Sequence, residues 1–286
     1  MIPTTRLLKS RLETGPVLVC PGAANALAAR LIEEAGFEVC YVTGAGIANT
    51  YLGAPDIGLL TLNELAGHVS AIRDSVNVPL IVDADTGFGN PIGVQRTVRM
   101  LERAGADAIQ LEDQVFPKRC GHFAGKRVVP AAEMAAKVRA AADARDAALI
   151  IARTDARSVE GFASAIERAE RYAAAGADVT FVEAPETVAE LLAVPERLPG
   201  IPQVVNLVEG GRTPLLPVSQ LGSFRLALFA NAALQAAVLG MQRALATLYD
   251  TGSLAAAAEH LVGWTERQRI VRKPVFDEVE ERYADD

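Results

Sequence analysis

Two rhythms of apolar residues alternate along this chain from end to end. Short unbroken apolar runs occur at 17–23 (VLVCPGA), 39–44 (VCYVTG), 79–85 (PLIVDAD), 108–113 (AIQLED), 148–154 (ALIIART), 179–183 (VTFVE), 203–208 (QVVNLV) and 224–230 (FRLALFA). Between them, apolar positions recur at helical spacing over 25–35, 61–75, 93–104, 130–144, 161–175 and 232–249. A strand that is apolar throughout, rather than at every second residue, is buried on both faces, as in a parallel sheet with helical crossovers. Eight such strands at regular spacing predict an α/β fold, a (β/α)8 TIM barrel, over an open sheet. The domain reading is one barrel over 1–286, with 254–286 a C-terminal helical extension. No G-x-G-x-x-G follows the first strand, so a dinucleotide fold has no support.

Three segments, EAGFEVCYVTG, RAGADAIQLED and AAGADVTFVEA, repeat one pattern: a helix-ending Ala-Gly, an acidic residue, then a strand. Gly36, Gly105 and Gly176 sit where a helix C-cap needs left-handed backbone. Convergence on good helix-to-strand loop chemistry explains this more simply than duplication. In the tail, Trp264–Tyr283 reads as helix interrupted at Lys273-Pro274, where a proline must end or kink it.

Composition narrows the function. Half the residues are hydrophobic, enough for a large core and too many for a disordered chain. With 28 Lys and Arg against 35 Asp and Glu, the net charge is −7, which argues against a nucleic-acid partner. The three cysteines, Cys20, Cys40 and Cys120, are an odd number without C-x-x-C spacing, so a reduced, cytoplasmic protein is expected. No signal peptide and no membrane span are expected either.

Polar residues gather where the strands end: Thr43-Gly44-Ala45, Asp83-Ala84-Asp85, Glu112-Asp113-Gln114, Arg153-Thr154-Asp155, Glu183 and Asn206. A closed barrel brings these to one mouth, the face where barrel enzymes place catalysis. Asp83, Asp85 and Glu112 look like a hard-cation site, since clustered carboxylates repel unless a cation neutralises them and all-oxygen donors suit Mg²⁺. Strand periodicity puts Asp83 and Asp85 on one side; the competing role for Asp85 is capping the next helix. The loop Lys118-Arg119-Cys120-Gly121-His122 sets a thiol beside two cations and an imidazole, which lowers its pKa and suits it to proton transfer. Cys20 and Cys40 read as buried structural thiols, and His68 and His260 as surface or packing residues.

With these motifs in view, the sequence resembles the isocitrate lyase/phosphoenolpyruvate mutase superfamily, in its short-chain branch of 2-methylisocitrate lyases, 2,3-dimethylmalate lyases and carboxyphosphonoenolpyruvate mutases. YVTGAGIANTYLGAPDIGLLT, VDADTGFG, EDQVFPKRCGH, ARTDA and NLVEGGRTP carry the resemblance. It implies a barrel whose last helix swaps between subunits of a dimer or tetramer. It implies Mg²⁺ (or Mn²⁺) bound through Asp83, with Asp85 and Glu112 further out. Thr43, Gly44 and Ala45 match the segment that holds a keto-acid carboxylate, and Arg153 its charged partner. Asp56, Lys118, Glu183 and Asn206 match further site positions, alongside Arg119, Gly121 and His122 of the loop, and Cys120 matches the acid/base of the lyases. The implied activity is carbon–carbon cleavage of a 2-hydroxy dicarboxylate by retro-aldol chemistry. The alternatives are an oxaloacetate-type decarboxylase or hydrolase, and a P–C bond mutase on the same scaffold; a silent keto-acid binder is the reading outside enzymes. Gln235 stands where methylisocitrate-cleaving relatives carry arginine, which favours a substituted malate over a tricarboxylate. Phe88 and Phe123 are candidates for an alkyl pocket.

Overall fold

The computed structural model describes residues 3–119, 121 and 125–284. Eight parallel strands close into a barrel in sequence order: β1 (Leu18–Ala23), β2 (Cys40–Val42), β3 (Leu80–Asp83), β4 (Ala108–Glu112), β5 (Leu149–Thr154), β6 (Val179–Val182), β7 (Gln203–Asn206) and β8 (Leu226–Phe229). Every expected strand is present. The surrounding helices include α1 (Thr4–Glu13), α2 (Ala26–Glu34), α3 (Gly44–Ile47), α4 (Leu62–Arg73), α5 (Pro91–Arg103), α6 (Ala131–Ala144), α7 (Arg157–Glu160), α8 (Phe162–Ala174) and α9 (Val188–Arg197). Local chemistry fixes their starts. Asn25 and Asn90 each cap a helix through the side chain, and Thr61 with Glu64 forms a reciprocal capping box. Gly36, Gly105 and Gly176 adopt φ of +89°, +107° and +111° behind their helices, as the repeated Ala-Gly pattern requires. The acidic residue of that pattern has a role too. Asp107 accepts the Leu80 N–H at 2.8 Å and Asp178 the Ile150 N–H at 2.8 Å, each anchoring the start of a neighbouring strand.

Side-chain alternation separates a core inside the barrel from two clusters between the strands and the helices. Leu18, Cys20, Tyr41, Ile81, Ala108, Ile151, Phe181, Val204, Leu226 and Leu228 form the cluster inside the barrel, joined by Leu8 and Leu12 of α1. Their neighbours in sequence, such as Val42, Val82, Ile109 and Ile150, belong to one of the clusters shared with the helices. The barrel closes between β1 and β8, where the backbones approach so closely that a Cβ on Gly22 would run into the Ala230 carbonyl and lie 2.8 Å from its Cα. Gly22→Ala is therefore expected to cost about 1–3 kcal/mol, read as a lowered urea midpoint at unchanged m-value.

The chain divides into two compact units, Met1–Ala232 and Ala233–Asp286. The second holds most of α10 (Ala232–Thr251), then α11 (Trp264–Ile270) and α12 (Lys273–Tyr283). Pro274 falls in the first turn of α12, where its missing N–H costs nothing, so the expected interruption is a break between two helices. Among the described residues, no helix is long and apolar enough to cross a membrane.

Candidate active site

The same alternation that buries Ile81, Ala108, Ile151, Phe181 and Val204 inside the barrel brings the last inward residue of each strand to the C-terminal mouth. Those residues are Asp83, Glu112, Arg153, Glu183 and Asn206, all buried. They line a cavity of about 40 Å³ together with Thr43, Ala45, Asp56, Lys118, Arg119 and Gly121, so eleven of the residues expected at the site share one space. Gly44 borders it: a Cβ there would lie 3.3 Å from Asp83 Oδ2 and 3.6 Å from Asp85 Oδ1. Cys120, His122 and Phe123 lie outside the described residues. Phe88 does not line this cavity; it lines a separate groove beside the mouth. His68 packs edge-on against Tyr51, away from the cavity.

Asp85 reaches the mouth by a route other than the one strand periodicity suggests. β3 ends at Asp83, and Asp85 turns back with φ +48°, a left-handed conformation rare outside glycine. It caps no helix, since Asn90 fills that role for α5. Its backbone instead accepts the Glu112 N–H at 2.9 Å and donates to Asp83 Oδ1 at 3.3 Å. Strain held in place by two neighbouring strands is common at functional sites.

The charges do not balance. Asp56, Asp83, Asp85, Glu112 and Glu183, five carboxylates, face three cations, Lys118, Arg119 and Arg153. Lys118 Nζ pairs with Asp56 and lies 2.7 Å from Asp85 Oδ1. Burial works against its ammonium, but Asp85, Glu112, Asp83 and Asp56 together outweigh that and raise its pKa. Burial pushes the Asp85 carboxyl up to about 6, against the pull of Lys118 and with the push of Asp83 and Asp56. Burial also raises Glu112 well above the usual carboxylate range, although Arg153 Nη1 lies 3.6 Å away. Glu112 Oε1 is buried without a hydrogen-bond partner. An excess of buried carboxylate oxygen with one atom unsatisfied fits a hard divalent cation. Among the described residues no group of three or more acidic, thiol or imidazole side chains is placed to hold a metal ion by itself.

Several site residues escaped the sequence reading. Asp155 accepts both Nε (2.9 Å) and Nη2 (3.0 Å) of Arg153. Burial raises its pKa, yet Arg153 and Lys126 overcome this and hold it at about 2. Asp113, fully buried, accepts from Thr154 Oγ1 (2.7 Å), Tyr172 OH (2.8 Å) and the Asp155 N–H (2.9 Å), locking the end of β5. Gln114 clamps the loop by donating to the Arg119 carbonyl at 2.8 Å and accepting its N–H at 2.9 Å. Tyr41 and Asn231 complete the walls. The only signal for Asp155, Asp113 and Gln114 was their place at strand ends; for Asn231 there was none. Because Arg153 meets Asp155 with two N–H groups at once, Arg153→Lys should lower kcat/KM about tenfold to a hundredfold with the melting temperature little changed, as steady-state kinetics and calorimetry would show.

Comparison with known proteins identifies the family. The family model described as phosphoenolpyruvate phosphomutase matches residues 8–249. The chain is 40% identical to 2,3-dimethylmalate lyase of Eubacterium barkeri over 98% of both chains. It is 45% identical to 2-methylisocitrate lyase of Aeropyrum pernix, over 86% of this chain and 80% of that one. Its fold superposes with a TM-score of 0.89 on phosphonopyruvate hydrolase solved with oxalate and Mg²⁺, at 30% identity and 99% coverage of each chain. The chain belongs to the phosphoenolpyruvate mutase/isocitrate lyase family of (β/α)8 barrels.

Proposed function

We propose that this protein is an Mg²⁺-dependent carbon–carbon lyase that splits a substituted malate into a 2-keto acid and a second carboxylate. The observation that carries the reading is the mouth itself. Two buried cations, Lys118 and Arg153, face an excess of carboxylates in a small cavity also lined by the apolar Val208, Leu228 and Ala230. The cations suit a dicarboxylate, and the apolar side chains suit small alkyl substituents. Asp83, with Asp85 and Glu112 behind it, would hold Mg²⁺. When bound, the ion polarises the oxygens of a 2-hydroxy carboxylate and steadies negative charge on them.

The protein groups do the rest. Arg153 and the Thr43–Ala45 segment take the carboxylate at C2, while Glu183 and Asn206, 3.3 Å apart, orient it. The hydroxyl proton passes to an acidic neighbour as the C2–C3 bond breaks, leaving C2 as the ketone and the electron pair on C3. Lys118 and Arg119 stabilise that enolate-like anion, with His122 at the same loop, and Cys120 delivers a proton to C3. Two relatives differ here, one named for dimethylmalate and one for methylisocitrate; Gln235, a neutral amide, supports the smaller substrate.

The test is a panel of malate, 2-methylmalate, 2,3-dimethylmalate, 2-methylisocitrate and oxaloacetate with Mg²⁺, following the keto acid through lactate dehydrogenase. An alkylmalate is expected to exceed methylisocitrate at least about tenfold in kcat/KM, as the loss of a charged partner implies. Turnover of oxaloacetate alone, without keto acid from any malate, would favour the hydrolase alternative. Exposed Leu245, Tyr249, Trp264 and Phe276 in the second unit support assembly as a dimer or tetramer through a swapped C-terminal helix. The cysteines and the absence of a spanning helix among the described residues support a cytoplasmic location.

A further inference from the structure

One buried ion pair has no part in the chemistry above. Lys126 lies on the segment returning from the active-site loop, where Val115 N–H meets the Arg127 carbonyl at 2.9 Å and Val129 N–H meets the Asp113 carbonyl at 2.8 Å. Its Nζ lies 2.7 Å from Asp155 Oδ1, with the two side chains 2% and 0% exposed, and it also donates to the Gly121 carbonyl. We propose that Lys126 is a positioning residue: acting through Asp155, it fixes the Arg153 guanidinium and the Gly121 backbone in one arrangement for the substrate carboxylate.

Asp155 is the fixed post of this assembly. Asp113 holds its backbone N–H at 2.9 Å, and its carboxylate is shared between two cations. Arg153 spends Nε and Nη2 on Asp155, whereas its contacts to Glu112 and Glu183 are loose, at 3.6 and 3.7 Å. The guanidinium is thus oriented by one edge, and Nη1 is turned toward the cavity. Gly121 packs against Nη2, one of the two nitrogens held by Asp155. A Cβ there would strike Arg153 Nη2 and come within 2.9 Å of Glu183 Cδ, so only a bare backbone fits that close. A neutral donor would be enough to tie Gly121 to the barrel. A buried ammonium carries a desolvation cost that such a tie does not require. What the charge adds is competition: Lys126 takes part of the Asp155 carboxylate and keeps Arg153 from being neutralised entirely by it.

This inference rests on the reading of Arg153 as the carboxylate-binding group, and two measurements separate their fates. The first is amide hydrogen exchange over 114–128 in the ligand-free full chain. Lys126→Met should accelerate exchange there and not in the barrel strands, with Lys126→Arg close to wild type. The second is calorimetric binding of oxalate in Mg²⁺: about 10- to 100-fold weaker in Lys126→Met, as for other partners that orient a ligand-binding group, and largely restored in Lys126→Arg. If Lys126→Met does not fold, Lys126→Gln replaces it in the oxalate measurement alone, since its amide can keep the Gly121 tie while removing the charge from Asp155. Unchanged exchange, or faster exchange with unchanged oxalate affinity, overturns the positioning role. Wild-type protein that fails to bind oxalate would refute the carboxylate reading of Arg153, and the positioning role with it. Normal oxalate binding without turnover of any malate would refute only the lyase chemistry.

Discussion

Asp83→Asn should leave roughly a thousandth of the Mg²⁺-dependent turnover while the barrel melts within a few degrees of wild type, the size expected when a metal ligand worth several kcal/mol is lost. The three acids at the mouth are not equivalent. Asp85 is committed to Lys118 at 2.7 Å, and Glu112 stands beside Arg153. Among the described residues Asp83 makes no ion pair; its Oδ1 receives only long contacts, from Asp85 N–H at 3.3 Å and Gln110 Nε2 at 3.4 Å. Its Oδ2 faces the bare backbone of Gly44, where a side chain would crowd it. A carboxylate that is buried, uncommitted and approached by glycine is the one best placed to give an oxygen to a cation. Asparagine keeps that shape and removes the charge, so the packing survives and the affinity does not. Calorimetric titration with Mg²⁺ should show weakened binding in parallel with lost turnover. An Asp83→Asn variant with wild-type Mg²⁺ affinity would reassign the ligand to Glu112, whose unsatisfied Oε1 is the next candidate.

How far the sequence foretold this site follows from what each signal encodes. Continuous apolar runs report burial on both faces, because helices must cover every strand of a parallel sheet, and eight of them at regular spacing led to the closed barrel. The mouth was legible for the same reason: the polar residue that ends an apolar run is the one placed where the strand runs out. Asp83, Glu112, Arg153, Glu183 and Asn206 all follow this rule. Asp85 does not, because its position depends on a single left-handed residue that periodicity cannot report. Lys126 was invisible for another reason. It lies in no apolar run, and only the pairing of 127–129 with 113–115, just past β4, buries its ammonium against Asp155. Phe88 was an aromatic near the mouth in sequence, but its φ of +55° carries it into the neighbouring groove. Pattern gives which face a residue occupies; turns decide where the chain goes next.

Cys120→Ser should lower cleavage about 10²- to 10⁴-fold, the range by which a positioned proton donor accelerates a reaction, while Mg²⁺ affinity and fold stay intact. Acidity sets the size of the effect. A carbanion at C3 needs a donor whose proton leaves easily, and a thiol is a far better acid than a hydroxyl of the same shape. The chain neighbours of Cys120, Arg119 and Gly121, both line the cavity, and Lys118 adds a second cation one residue earlier. The other two cysteines are built differently. Burial, followed by the neighbouring Cys40, raises the Cys20 thiol well above its ordinary value, and burial pushes Cys40 up to about 12. Both are therefore neutral and shielded, so alkylation by iodoacetamide should track loss of activity at Cys120 alone, protected by substrate. The serine variant also separates two steps. If Cys120 only protonates C3, bond cleavage can still occur and reverse, so Cys120→Ser should lose net release of the second carboxylate while binding of oxalate is unchanged. Serine turnover within about tenfold of wild type, a difference too small for a lost general acid, would assign the proton to another group on the loop, with His122 the first to test.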